Sequence, residues 1–285
     1  METAYFNGKL VPKNEIKISP DDRGFLFADG VYEVIRWYEG FFYDMPGHVS
    51  RLKRSVRELR INWDGAETFP SFALDLIKLN KLDNQPAMVY LQVTRGAARR
   101  IHVFPDPEVS PTVYAFAWGF TPDIRLKESG IKVMLKEDIR WSRCDIKSLA
   151  LLPNALSLQE ASENGMKECI FVRNGLITEG AYSNIFFIID GTLFTHPESN
   201  YILSGVTRKN ILRIAQEAGI NIREEAVQEN RIRFITEAFV SNTGFEVMPV
   251  INLGGNTIGE GVPGPVTRLI SDKFDGEIKA LKNKT

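Results

Sequence analysis

The stretch Ile139-Arg140-Trp141-Ser142-Arg143-Cys144-Asp145-Ile146-Lys147-Ser148-Leu149-Ala150-Leu151-Leu152-Pro153 holds one lysine, Lys147, between Ile146 and an apolar run. A lysine in water has a pKa of about 10.4 and is a poor nucleophile at neutral pH. Apolar neighbours disfavour its charged form, and the cations Arg140 and Arg143 are expected to push the same way. A lysine so tuned can form a Schiff base with a carbonyl. The competing reading is a surface lysine, and for a lysine taken alone that reading carries more weight. The partners supplied by the rest of the chain decide between the two.

Around this stretch the pattern is regular. A strand is expected over 131–135 before it, and a helix over 154–164, closed by Gly165, after it. Next comes a meander whose turns are Asn174-Gly175 and Asp190-Gly191. Ser204-Gly205-Val206-Thr207 opens a helix with Ile211, Ile214, Ala215 and Ala218 on one face. A short helix over 227–232, a strand over 238–242 and an amphipathic helix over 265–279 complete this half. On the N-terminal side, Asn7-Gly8 signals a type I′ hairpin, and 19–30 reads as a loop with exposed aromatics. A strand over 31–38 follows, then helices over 48–60 and 72–79 and strands over 88–94 and 112–118. Gly119-Phe120-Thr121-Pro122-Asp123 is the candidate linker. The order of elements predicts α+β architecture with domains at 1–120 and 121–285.

Composition narrows the function. The chain has 285 residues, enough for two domains, and a net charge of −1 from 35 basic and 36 acidic side chains. That balance argues against a nucleic-acid-binding surface as the main business. Cys144 and Cys169 lack metal-ligand spacing, so no metal site is expected, and two buried thiols in a reducing compartment is the favoured reading. The first residues show no basic and apolar pattern of a secretory signal, and the apolar runs are too short to span a bilayer. A cytoplasmic protein without membrane partners is expected.

Four further groups carry chemistry, each weighed against a plainer role. The helix start at Ser204-Gly205-Val206-Thr207 offers backbone N–H groups and a hydroxyl to a phosphate; simple capping is the alternative. Arg51 could add a cation, or lie solvated on its helix. Glu179, in Thr178-Glu179-Gly180, could keep a pyridine nitrogen protonated, or be a turn glutamate. Arg99-Arg100-Ile101-His102 could bind a carboxylate by charge-assisted hydrogen bonds, or be a solvated loop. No Gly-x-Gly-x-x-Gly and no Walker lysine is present.

The set is more specific than its members. Asp22-Arg23-Gly24, Asp29-Gly30-Val31-Tyr32-Glu33-Val34, Arg51-Leu52, Val93-Thr94-Arg95-Gly96, the Lys147 stretch, Gln159-Glu160-Ala161, Thr178-Glu179-Gly180 with Ser183-Asn184, and Gly205-Val206-Thr207-Arg208 occur in this order. Together they resemble the pyridoxal-phosphate aminotransferases of fold type IV, from about Tyr5 to past Pro249. Asp29-Gly30-Val31-Tyr32-Glu33-Val34 and Arg100-x-His102 are most similar to the D-amino-acid (D-alanine) aminotransferases. The resemblance implies a two-domain α+β fold whose larger C-terminal domain has a mostly antiparallel, barrel-like sheet. It implies Lys147 as Schiff-base lysine and general acid/base, and Glu179 on the pyridine nitrogen. Arg51, Val206 and Thr207 correspond to the phosphate cup, with Ser183, Asn242 and Thr243 as further cofactor contacts and Leu203 on the ring. Tyr32, Arg100 and His102 correspond to the holders of the substrate carboxylate, the last two from the second subunit of a homodimer. The implied reaction moves an amino group from a D-amino acid to a 2-oxo acid such as 2-oxoglutarate. The alternatives are a 4-amino-4-deoxychorismate lyase or a branched-chain aminotransferase of the same fold. Ala28, Ala181-Tyr182 and Asn242-Thr243-Gly244-Phe245 depart from the pattern, the first where relatives usually carry glycine.

Overall fold

Asn7-Gly8, Asn174-Gly175 and Asp190-Gly191 each close a two-residue hairpin with both residues at positive φ (46° and 88°, 53° and 75°, 50° and 72°). That geometry matches the twist of the flanking strands, and asparagine, aspartate and glycine tolerate it. The computed structural model describes residues 2–284, which divide into two units. One comprises 2–121, 146–150 and 281–284; the other comprises 122–145 and 151–280.

The first unit contains β1 (Thr3–Phe6), β2 (Lys9–Pro12), α1 (Arg23–Phe27), β3 (Gly30–Tyr38), α2 (Met45–Glu58), α3 (Phe69–Leu79), β4 (Pro86–Thr94) and β5 (Thr112–Gly119). Its five-stranded sheet runs β2-β1-β5-β4-β3, antiparallel throughout. Val31, Ile35 and Trp37 alternate along β3 and join Val49, Leu52, Val56, Phe72 and Leu76 of the two long helices in one core. Helix α2 starts earlier than its apolar spacing suggested, because Asp44 caps it by accepting the Gly47 N–H at 3.0 Å.

The expected loop over 19–30 is not all irregular. Asp22 accepts the Gly24 N–H (2.8 Å) and so starts the short α1, which ends at Ala28 with φ 54° and ψ 28°. A side chain in that left-handed conformation costs roughly 1 kcal/mol, and a glycine avoids the cost. This is a physical reason for glycine at the corresponding place in relatives.

Residues 146–150 extend the first unit beside β3. The Tyr32 N–H donates to the Lys147 carbonyl and the Leu149 N–H to the Gly30 carbonyl, both at 3.0 Å. Ile146 enters the core. A Cβ on Gly30 would lie 2.7 Å from Leu149 Cδ1 and from the Val93 carbonyl oxygen, so only glycine lets the lysine segment approach.

The second unit contains α4 (Ile124–Ser129), β6 (Ile131–Glu137), α5 (Leu152–Glu163), β7 (Glu168–Arg173), β8 (Leu176–Gly180), β9 (Asn184–Ile189), β10 (Thr192–Thr195), α6 (Val206–Glu217), β11 (Ile222–Glu224), β12 (Glu237–Asn242), β13 (Glu246–Leu253), β14 (Asn256–Thr257) and most of α7 (Pro265–Lys282). The helix expected over 227–232 is a 3-10 helix, Glu229–Phe234. The sheet order is β11-β10-β9-β12-β13-β6-β7-β8, with β14 on β13. It is antiparallel except at β10–β11, β13–β6 and β6–β7. Strand β13 had no sequence expectation, since Pro249 in its middle reads as a breaker; here it pairs opposite Phe239 in the sheet interior.

Candidate active site

In the first unit, Lys147 is half-buried, and its Nζ lies 4.3 Å from the centroid of the Tyr32 ring. Tyr32 in turn stacks on Tyr90 (5.8 Å). Behind them is a charged cluster that the sequence reading did not assemble. Glu33 is fully buried on the core face of β3 and takes Arg51 as a fork, Nε to Oε1 at 2.7 Å and Nη2 to Oε2 at 2.8 Å. His48 Nδ1 lies 2.8 Å from Glu33 Oε2. Burial alone would raise the Glu33 carboxyl, but Arg51 and His48 hold it below the ordinary carboxylate range. Burial pushes His48 down, towards its neutral form, with Arg51 and Lys147 pushing the same way against Glu33. Arg51 is therefore not the loose surface cation of the plainer reading. The clue was a glutamate on the apolar face of an alternating strand, facing His48 and Arg51 three residues apart on a helix.

Arg100 and His102 lie on the loop after β4 and are exposed. Both meet Phe27: the Arg100 guanidinium at 5.1 Å and the His102 ring at 5.6 Å from the Phe27 centroid. Arg23 ties this loop to α1 by donating to the Ile101 carbonyl (2.7 Å). Arg99 is exposed, and its carbonyl accepts the Ile101 N–H.

In the second unit, Glu179 is the penultimate residue of β8 and is 4% exposed. Arg140 Nη1 donates to Oε1 at 2.6 Å; Asn184 Nδ2 (3.1 Å) and the Leu203 N–H (2.9 Å) donate to Oε2. Burial pushes the Glu179 carboxyl up, with Arg140 pulling it back. Arg140 is itself held by Asp138, Nε to Oδ1 at 2.9 Å and Nη2 to Oδ2 at 3.0 Å. Arg143 pairs with Asp145 at 2.9 Å. This corrects the expectation that both arginines act on Lys147: each is committed to a carboxylate. The apolar run after Lys147 is also not a buried cushion, since Leu151 is 37% and Leu152 70% exposed where α5 begins.

Helix α6 starts at Val206 with Gly205 as its N-cap and no side-chain cap. Thr207 is buried, and Leu203 is half-buried. Gly205 is required by close approach: a Cβ there would lie 2.1 Å from Asn184 Oδ1. Asn242 spends its carboxamide on a turn, accepting from the Gly244 (2.8 Å) and Phe245 (2.6 Å) N–H groups and donating to the Tyr182 carbonyl (3.3 Å). Thr243, beside it, is half-buried. Ser183 Oγ donates to Glu168 at 2.6 Å.

Glu168 was not anticipated. It has no exposed surface and also accepts the N–H groups of Cys169 (2.8 Å), Ala181 (3.0 Å) and Tyr182 (3.4 Å), so it templates the 180–183 turn between Glu179 and Asn184. Burial raises its pKa from 4.5 to about 7. A carboxyl raised on folding adds stability fully below its unfolded pKa, and that contribution is lost as pH rises through the folded value. Wild-type unfolding free energy should therefore fall relative to Glu168→Gln between pH 4.5 and 7, by up to about 1.4 kcal/mol per pH unit. Urea titrations of both proteins across that range check this; parallel curves would show that Glu168 does not titrate there.

Cys144 and Cys169 are free and buried, and burial raises the thiols to about 11 and about 12. Among the described residues no His/Cys/Asp/Glu group is arranged to hold a metal ion, and no helix is long and apolar enough to cross a membrane.

The sequence model of the family described as amino-transferase class IV matches residues 30–253. A D-alanine aminotransferase of Staphylococcus haemolyticus is 40% identical over 281 residues, covering 98% of this chain and 99% of that protein. One from Bacillus licheniformis is 37% identical, with 98% of each covered. A solved branched-chain amino acid aminotransferase from Escherichia coli superimposes with a TM-score of 0.88 at 28% identity, covering 96% of this chain and 94% of that one. The match takes in the Lys147 segment, Glu179 and the start of α6 in one continuous span, and the chain belongs to the class IV aminotransferases.

Proposed function

We propose that the chain is a pyridoxal 5′-phosphate-dependent D-amino-acid transaminase, taking substrates such as D-alanine or D-glutamate and passing the amino group to a 2-oxo acid such as 2-oxoglutarate. The observation that carries the reading is Glu179, a carboxylate buried at a strand end and oriented by three donors. A turn glutamate needs neither burial nor a dedicated arginine. The residues fit the cofactor in two further respects. Helix α6 offers a first turn without a side-chain cap, and Lys147 lies on a segment fixed by main-chain bonds to β3. Staphylococcal and Bacillus relatives named D-alanine aminotransferases support the D-amino acid over the branched-chain alternative.

When bound, pyridoxal phosphate supplies an aldehyde for covalent attachment and a protonated ring that draws electrons from the substrate Cα. Lys147 provides the amine for attachment, then takes the proton from Cα and returns it. Glu179 would keep a proton on the pyridine nitrogen, and Arg140 fixes the Glu179 carboxylate by donating to its Oε1. The Val206 and Thr207 N–H groups would hold the phosphate, as would Arg51, whose guanidinium Glu33 fixes. Ser183 and Asn242 fix the two turns that would shape the cofactor's surroundings, with Thr243 beside the second, and Leu203 would pack against its ring.

Tyr32, Arg100 and His102 hold the α-carboxylate, with Arg100 and His102 supplied to the site by the second copy of a homodimer. Exposed apolar side chains suit such an assembly: Phe25 (79%) and Val103 (69%) in the first unit, Leu152 (70%) and Ile139 (63%) in the second. The free, buried thiols suit a cytoplasmic location. Arg100 rather than Arg99 is the anchor because it shares Phe27 with His102. A hydrogen bond to a charged group contributes about 1.5–3 kcal/mol, so Arg100→Ala should lower kcat/KM for D-alanine by roughly one to two orders of magnitude. Arg99→Ala should change it far less. Steady-state kinetics of both variants test this, and a larger loss in Arg99→Ala would remove the assignment. Release of pyruvate from aminodeoxychorismate faster than any transamination would favour the lyase.

A further inference from the structure

The two oxygens of Glu179 are not used equally. Among the described residues, Oε2 accepts from Asn184 Nδ2 (3.1 Å) and from the Leu203 N–H (2.9 Å), whereas Oε1 accepts only from Arg140 Nη1 (2.6 Å). Each carboxylate oxygen has two lone pairs. The acceptor position left over is therefore on Oε1, the oxygen that the arginine holds. A further proton donor at Glu179 would share that oxygen with a guanidinium.

An arginine at that place works against a protonated pyridine nitrogen. Its charge repels a second cation and makes the carboxylate a poorer base. Asp138 offsets that charge. Its side chain has no exposed surface, and it takes Arg140 as a fork, Nε to Oδ1 at 2.9 Å and Nη2 to Oδ2 at 3.0 Å. Asp138 Oδ1 also accepts the Arg140 main-chain N–H (3.1 Å). Most of the guanidinium is thus committed to Asp138, and a single bond goes to Glu179. Arg173 Nη2 lies 3.2 Å from Asp138 Oδ2, and its guanidinium sits 4.6 Å from the Tyr201 ring centroid. The remaining titratable neighbour, Cys144, is pushed up to about 11 by burial and carries no charge at neutral pH. Asp138 and Glu179 therefore balance Arg140 and Arg173. All of these residues belong to the second unit.

We propose that Asp138 is a positioning residue for the reaction: by holding Arg140 and offsetting its charge, it lets Glu179 keep a proton on the cofactor's pyridine nitrogen. The inference rests on the proposed cofactor and on Glu179 as the partner of that nitrogen. It extends the site from the carboxylate and its arginine to the residue that sets the charge of the pair.

The test compares wild type, Asp138→Asn, Arg140→Gln and the double variant, each loaded with pyridoxal 5′-phosphate isotope-labelled at the ring nitrogen. The nitrogen chemical shift, followed against pH, gives the pH at which the proton is half lost. Asp138→Asn leaves the Arg140 charge without its offset, so its proton should be lost about one pH unit below wild type. Arg140→Gln, in which Arg173 still pairs Asp138, should lose it above wild type. The double variant, with both charges gone, should return to wild type or above. A purely structural role for Asp138 would change Tm and cofactor content but not this titration, and a second change at Arg140 would not reverse it. Loss of one partner of a buried pair is destabilising; should Asp138→Asn fail to fold, the other two variants decide, since both must lie at or above wild type. An Asp138→Asn titration equal to wild type, or either of the other variants below wild type, would overturn the proposal. A wild type that binds no pyridoxal 5′-phosphate, or whose bound ring nitrogen titrates as it does free in solution, would instead refute the assignment of Glu179 on which it rests.

Discussion

Lys147→Ala should leave a folded protein whose transamination is slower by about a thousandfold or more. The fold should persist because the segment is held by main-chain groups: the Lys147 carbonyl and the Leu149 N–H bond to β3 whatever the side chain. Ile146, not Lys147, supplies the apolar anchor. What is lost is the only chemistry assigned to the ammonium group, covalent attachment and proton transfer at Cα. Far-UV circular dichroism and Tm check the fold, and single-turnover kinetics check the rate. Borohydride reduction of the wild type should fix the cofactor on the peptide that contains Lys147. Activity above a tenth of wild type in Lys147→Ala, or trapping on another lysine, would remove the residue from the centre of the account.

Glu179→Gln should reduce turnover by about 10²–10³-fold while cofactor remains bound. A neutral amide cannot keep the pyridine nitrogen protonated, so electron withdrawal from Cα weakens. The local structure gives this substitution a second signature. Both oxygens of Glu179 accept hydrogen bonds, from Arg140 on one side and from Asn184 and the Leu203 N–H on the other. An amide can accept on only one side, so either Arg140 or the Leu203 N–H loses its acceptor. Arg140 keeps Asp138, which limits the damage. A small loss of stability is expected beside a large loss of rate. Cofactor content and kcat separate the two: loss of the cofactor with normal turnover per bound cofactor would make Glu179 purely structural.

The fold was legible where local chemistry decides it. Asn7-Gly8, Asn174-Gly175 and Asp190-Gly191 fall where the hairpins are, because only a few residue types adopt two successive positive φ values. The α2 face was legible from Val49, Leu52 and Val56, which are all buried. Strand β13 was not, because Pro249 lacks an N–H and local rules exclude it from an inner strand. Helix α1 was hidden by its brevity, five residues, although Asp22 is a regular N-cap.

The candidate site divided the same way. Lys147, Glu179 and the α6 start stood out as motifs in sequence. Their supports did not, since each joins residues far apart in the chain: Glu33 with His48 and Arg51, Arg140 with Glu179, Glu168 with the 180–183 turn. Sequence neighbourhood also misled at Arg140 and Arg143, which lie close to Lys147 in the chain and are taken by Asp138 and Asp145.

The most direct test of the proposed activity mixes the pyridoxal-phosphate-loaded protein with D-alanine or L-alanine and no acceptor. Pyruvate release and the cofactor absorbance are followed through one turnover. The account predicts about one equivalent of pyruvate per chain from D-alanine, with loss of the aldehyde absorbance and its return on adding 2-oxoglutarate, and at least about tenfold slower reaction with L-alanine. Faster reaction with L-alanine, or no pyruvate from either enantiomer, would contradict it.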